Sequence, residues 1–116
     1  MNLKLIVALV AEDKTDTVVD AAREAGATGA TVVDSCRGEG LVPEKSFLGL
    51  ELSAQRDLVM FLVAEPLARE ILETISTAAQ FDDEPGSGIA FQLAIEDAVG
   101  LKSQSEQILK EIEEAI

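Results

Sequence analysis

Histidine is absent from the 116 residues of this chain, which removes the usual general base near neutral pH and the commonest nitrogen ligand for a metal. Every Ser-His or Cys-His nucleophile pair goes with it. Cys36 is the single cysteine, so no internal disulfide can form, and a free buried thiol in a reducing compartment is the expected reading. Asp82, Asp83 and Glu84 are three adjacent acids that suggest a divalent cation, but without an oxygen-rich loop of defined spacing they read as a solvated turn. Neither a catalytic nor a metal site is expected. What remains is backbone chemistry: Gly86-Ser87-Gly88 reads first as a tight turn feeding a strand, and such a turn can also present N–H groups to an anion without side-chain help.

Charge narrows the partners. With 22 acidic against 9 basic residues and a formal net charge of −13, the chain repels a phosphate backbone and an anionic membrane surface alike, so nucleic acid is not an expected partner. The excess of acid serves solubility or meets a basic partner surface. The longest uninterrupted apolar stretches, residues 5–11 and 58–64, have seven residues each, far short of the ~18 needed to span a membrane. The start of the chain enters a strand pattern at once, without the features of a signal peptide. A soluble, cytoplasmic protein with no direct membrane insertion is expected.

The elements that must position any site are announced by a repeat. Leu9-Val10-Ala11-Glu12 and Leu62-Val63-Ala64-Glu65 each close an apolar run and open a helix-patterned segment. Each copy reads strand, amphipathic helix, strand, and two such β-α-β units in tandem define an α+β, ferredoxin-like double β-α-β sandwich. In the first unit, residues 3–10 form a strand, Asp13 caps a helix striped by Val18, Val19, Ala22 and Ala25, Gly26 ends it, and residues 28–36 form the second strand. In the second unit, residues 58–64 form a strand, Pro66 opens a helix with Ala68, Ile71, Leu72, Ile75 and Ala79 on its buried face, and the last strand alternates. There Ile89, Phe91, Leu93 and Ile95 point one way and Ala90, Gln92, Ala94 and Glu96 the other; one set faces the core, and Ala90, Gln92 and Ala94 are expected on the face left to solvent or another subunit.

Two stretches fall outside the repeat. Residues 37–56, with three Gly and one Pro, form one long loop, which in a compact domain is more often functional than not. Inside it Phe47-Leu48-Gly49-Leu50 is unusually apolar, either folded onto the assembly or held out as an anchor for a partner. Residues 103–116 open with a capping box, Ser103 and Glu106, and carry Ile108, Leu109, Ile112 and Ile116 at helical spacing. An extra C-terminal amphipathic helix is therefore expected beyond a main domain of residues 1–102, docked on its own sheet or on a neighbour.

Ala22-Arg23-Glu24-Ala25-Gly26-Ala27-Thr28-Gly29-Ala30-Thr31-Val32 resembles the nitrogen regulatory PII signalling family, whose first helix ends and second strand begins with such a stretch. Gly38-Glu39-Gly40 falls where that family has a Gly-x-Gly at the base of its long effector loop. Gly86-Ser87-Gly88-Ile89 falls at its nucleotide-binding Gly-Asp-Gly-Lys turn, and Glu96-Asp97-Ala98-Val99 where its last strand runs out. The resemblance covers roughly residues 3–102. It implies a PII-like homotrimer with effector sites in the clefts between subunits, where an adenine nucleotide shifts the long loop and the loop docks on a membrane transporter or a metabolic enzyme.

Carried onto this sequence, the resemblance implies a ligand site of Thr31, Arg37, Gly38, Gly40, Gly86, Ser87, Gly88 and Lys102, and a partner-binding loop anchored by Phe47, Leu48 and Leu50. The family's Lys after the turn is Ile89 here, the first Arg after the last strand is Gly100 and the second is Lys102. A triphosphate needs cations, each charge-assisted hydrogen bond contributing roughly 1.5–3 kcal/mol, so AMP, ADP, a cyclic nucleotide or bicarbonate fits better than ATP. No cofactor follows with certainty. An acylphosphatase-like enzyme on the same fold would want a basic cradle after the first strand, where Ala11-Glu12-Asp13-Lys14 is mostly acid; a non-catalytic trimeric scaffold of CutA-like architecture is the other reading.

Overall fold

The computed structural model describes residues 2–37 and 55–100. Strand β1 (Leu3–Ala11), helix α1 (Thr15–Glu24), β2 (Thr31–Arg37), β3 (Gln55–Ala64), α2 (Glu65–Ala79) and β4 (Gly88–Ala94) follow in chain order. The four strands form one antiparallel sheet in the order β2-β3-β1-β4, the arrangement of a double β-α-β sandwich. In both copies of the repeat the strand ends on the Ala and the helical turn starts on the Glu. The expected C-terminal helix and most of the long loop, with Gly38, Gly40, Phe47, Leu48, Leu50 and Lys102, lie outside the described residues.

Both helices stop in the same way. After α1, Gly26 takes a φ of 116°, its N–H donates to the Arg23 carbonyl and that of Ala27 to the Ala22 carbonyl, which completes a Schellman motif. After α2, Gln80 does the same at φ 59°, with Phe81 N–H donating to the Ser76 carbonyl at 3.0 Å. At the N-termini expectation and structure part. Asp13 lies in a 3-10 turn (Glu12–Lys14) and caps nothing; α1 begins at Thr15 behind Lys14 with no side-chain cap. Helix α2 has Ala64 at its cap position, and its first N–H, from Glu65, donates to the Asn2 carbonyl at 2.9 Å.

One face of the sheet carries the core. Ile6, Ala8 and Val10 of β1 and Val59, Phe61 and Val63 of β3 pack under Val18, Ala21 and Ala22 of α1 and Leu67, Ala68, Ile71, Ile75 and Ala79 of α2. Because directly opposed residues share a face, Ala90 and Gln92 of β4, opposite Ala8 and Ile6, also turn toward the helices. The expected facing of β4 is thereby inverted: Ile89, Phe91 and Leu93 point to the side that the two described helices leave uncovered, called the uncovered face below, with Phe91 38% and Leu93 48% exposed. Two helices prefer small β4 residues beneath them because α2 runs close to that strand, and Ala90 packs against the core. The uncovered face carries Leu5, Val7 and Leu9 of β1, Leu58, Met60 and Leu62 of β3 and Val33 of β2 beside them.

Two substitutions test this backbone. Gly88→Ala would place a methyl 2.5 Å from Phe81 Cε1 and 2.8 Å from the Leu9 carbonyl oxygen, which belongs to a paired strand and cannot yield. A loss of about 1–3 kcal/mol is expected, read as a lowered urea midpoint. Gln80→Gly removes the cost of a side chain in left-handed backbone at an exposed position, and a gain of about 0.5–1 kcal/mol is expected in the same titration.

Candidate functional site

One end of the sheet gathers the features that could hold a ligand. The ends of β1 and β2 and the starts of β3 and β4 meet there, with Cys36 opposite Arg56, Arg56 opposite Ala11, and Val10 opposite Gly88. Ala11 extends the row by donating its N–H to the Ser87 carbonyl at 3.0 Å. Four strands set side by side span roughly 14 Å, the scale of a nucleotide or of a small anion with room to spare.

The glycine turn is built around a single carbonyl. Left-handed Gln80 aims its oxygen at the turn, where it accepts from the Asp83 N–H at 3.2 Å, the Glu84 N–H at 2.9 Å and the Ser87 hydroxyl at 3.0 Å. The Ser87 N–H donates to the Glu84 carbonyl, and its side chain is 1% exposed. Ser87 thus spends both donors inside the turn, and the groups left for a ligand are those of the flanking glycines. Gly86 needs its φ of 80° for the turn, while Gly88 is glycine because Phe81 and β1 leave no room for a Cβ. The acidic stretch is partly neutralised: Lys14, its side chain 17% exposed, pairs with Glu84 at 3.0 Å.

Arg56 is the functional candidate that sequence reasoning missed. The expected loop, residues 37–56, is trimmed at both ends because Arg37 closes β2 and Gln55 and Arg56 open β3. Charged residues mask the strand pattern there. Arg56 is 7% exposed, and its Nε, wholly buried, has no hydrogen-bond partner. A buried N–H donor without an acceptor is costly, and the planar fork of the guanidinium is suited to a carboxylate or phosphate. Asp57, the next residue, points to the opposite face and is spoken for: Oδ2 accepts from the Thr15 hydroxyl at 2.6 Å and Oδ1 from the Ser35 N–H at 3.2 Å.

The remaining expected residues divide. Arg37 reaches the same sheet end, exposed and opposite Gln55. Thr31 does not; it starts β2 opposite Met60, four residues or roughly 13 Å along the sheet from Arg56. A groove of about 610 Å³ lies on the helical side, between α2 and the start of β4, but its cation, Arg69, is tied to Glu73 at 2.8 Å. Among the described residues no group of His, Cys, Asp and Glu could hold a metal, and no helix is long and apolar enough to cross a membrane.

Comparison with solved structures supports the architecture. The chain is similar to a PII-like signalling protein from Thermus thermophilus, at 22% identity and a TM-score of 0.60 over 82% of this chain and 87% of that one. It is also similar to CPII from Thiomonas intermedia, a nitrogen regulatory PII-like protein. In its complex with ADP and bicarbonate the match has 22% identity and a TM-score of 0.60 over 82% and 87% of the two chains. In its complex with ADP, AMP and acetate it has 19% identity and a TM-score of 0.63 over 83% and 90%. The family model for nitrogen regulatory protein P-II matches residues 3–105. The four-stranded sheet, the tandem repeat and a family match that runs through both described segments make this chain a member of the nitrogen regulatory protein P-II family.

Proposed function

We propose that the chain is a non-catalytic PII-like sensor, in which Arg56 and the Gly86-Ser87-Gly88 turn hold an adenine nucleotide or a small anion such as bicarbonate. The observation that carries this reading is the buried Nε of Arg56 without a partner, at the sheet end shared with Arg37 and the turn. CPII, of the same fold, holds ADP with bicarbonate, and ADP with AMP and acetate. With Ile89 after the turn and Asp82 and Asp83 beside it, ADP or AMP suits this end better than ATP. Gly38, Gly40 and Lys102 complete the site in this reading.

The uncovered face supports a homotrimer. Leu62 at 42%, Phe91 at 38% and Leu93 at 48% exposure continue an apolar surface across three strands, and packing three copies through it into a homotrimer buries that surface. Thr31, on the same face and distant from Arg56 within one chain, fits a contribution to a neighbouring subunit's cleft. The loop that follows β2 is the output element, with Phe47, Leu48 and Leu50 as anchors for a transporter or enzyme. A basic partner surface suits a chain of net charge −13.

Arg56 gives the deciding experiment. Arg56→Met is expected to raise the thermal stability of the ligand-free protein, by about 1 kcal/mol, because it removes a buried donor that has no acceptor. The same substitution is expected to weaken ADP or bicarbonate binding in calorimetric titration by about 10- to 100-fold. A native protein that binds none of ADP, AMP, ATP or bicarbonate, while remaining trimeric, would leave the scaffold reading instead.

Light scattering tests the assembly. The native chain is expected near three times 12.3 kDa, and Leu93→Glu is expected to release monomers. A native monomer refutes the trimer. For the output loop, Phe47→Ser with Leu48→Ser is expected to leave assembly and melting temperature unchanged while abolishing capture of a purified candidate transporter; loss of the trimer would make these side chains structural.

A further inference from the structure

We propose that Asp57 is a positioning residue that sets the register of β2, and through it the two residues that border the Arg56 end of the sheet. The inference rests on the reading of that end as an anion site, and its first test does not. Up to Val33, which faces Leu58, β2 and β3 pair in plain antiparallel register. Beyond it the register shifts by one residue, so that Cys36, not Ser35, faces Arg56, and Arg37 faces Gln55. One extra residue in β2 is a β-bulge.

The bulge contains Ser35 at φ 59°, left-handed backbone that a residue with a Cβ adopts only at a cost. A conformation of this kind persists where the surroundings over-determine it. Here the described partner of the bulged amide is Asp57, whose Oδ1 accepts from the Ser35 N–H at 3.2 Å. Its other oxygen accepts from Thr15 at 2.6 Å, and Thr15 and Asp57 are each 8% exposed. The first residue of α1 therefore fixes the carboxylate, and the carboxylate fixes the bulge.

Side-chain facing follows from the count of residues. Without the bulge Ser35 would stand beside Arg56 on the uncovered face and Cys36 would turn under the helices. With it Cys36 stands beside Arg56, and Arg37 leaves the sheet on the side of Gln55. Asp57 thus determines which side chain neighbours Arg56 and on which side of the sheet Arg37 lies. It touches no ligand; it acts by placing those that do.

Nuclear magnetic resonance of the native chain and its variants reads the register directly. Cross-strand contacts between Cys36 and Arg56 are expected in the native protein, lost or replaced by Ser35–Arg56 contacts in Asp57→Ala, and regained in Asp57→Ala with Ser35→Gly, since glycine holds the left-handed bulge without help. Thr15→Val, which keeps the carboxylate but loses its tether, is expected to shift the Ser35 amide in the same direction by less, and it supplies the answer if Asp57→Ala fails to fold. Native Cys36–Arg56 pairing in Asp57→Ala, or an unmoved Ser35 amide in Thr15→Val, overturns the proposal.

The second arm is calorimetric titration with ADP and with bicarbonate. Asp57→Ala is expected to weaken binding about tenfold, with partial recovery in the double variant with Ser35→Gly. A merely structural loss would not be repaired by adding a glycine. Changed register with unchanged affinity overturns the positioning role. If the native chain binds neither probe, the anion site is refuted, and the register data still decide what Asp57 does to β2.

Discussion

Two helices can cover one face of a four-stranded sheet, and the other face of this sheet is not polar. That single mismatch organises the molecule. On the covered side Ile6, Val10, Val59 and Phe61 are at or near zero exposure beneath Val18, Ile71 and Ile75. On the other, rows running through Leu5, Leu62 and Leu93, and through Val7, Met60 and Phe91, cross three strands at once. A sheet built this way needs apolar cover that its own described residues do not supply, and a membrane is a poor source when the chain carries a net charge of −13. The homotrimer proposed above would meet that need by packing this face against copies of itself.

The same sheet delivers its chemistry at one end, because antiparallel pairing brings strand ends from distant parts of the sequence into one row. The glycine turn is anchored twice to that row, through Ala11 N–H to Ser87 and through Lys14 to Glu84. Three of its internal bonds converge on the Gln80 carbonyl, so the end of α2 and the start of β4 are joined as one piece. Arg56 sits in the middle of the row with an unsatisfied donor inside a strongly acidic protein. Its Nε, buried without an acceptor, is the feature on which the proposed anion site rests.

Asp57 and Arg56 show how adjacent strand residues divide labour. Alternation sends one toward α1 and the other to the uncovered face. The acid is consumed by Thr15 and Ser35, which removes the ion-pair partner that sequence proximity would have offered the arginine. An adjacent Arg-Asp pair in sequence is thus two separate devices in the structure.

The tandem Leu-Val-Ala-Glu repeat, the helix stripes and Gly26 as a helix stop were legible in the residues, since each depends on contacts within a few positions. The family resemblance likewise followed from short motifs in order, and the match over residues 3–105 agrees with it. Local pattern did not decide which face of β4 meets the core. Ile89, Phe91 and Leu93 look like core residues, and only the proximity of α2, which accepts Ala90, sends them outward. It also did not decide where β3 begins. Arg56 is charged and reads as loop; it becomes strand because Ala11 and Cys36 pair with the backbone on either side, whatever the side chain carries. Backbone pairing and helix placement are long-range choices, made by the whole sheet at once, and so the candidate site was partly hidden while the fold that holds it was not.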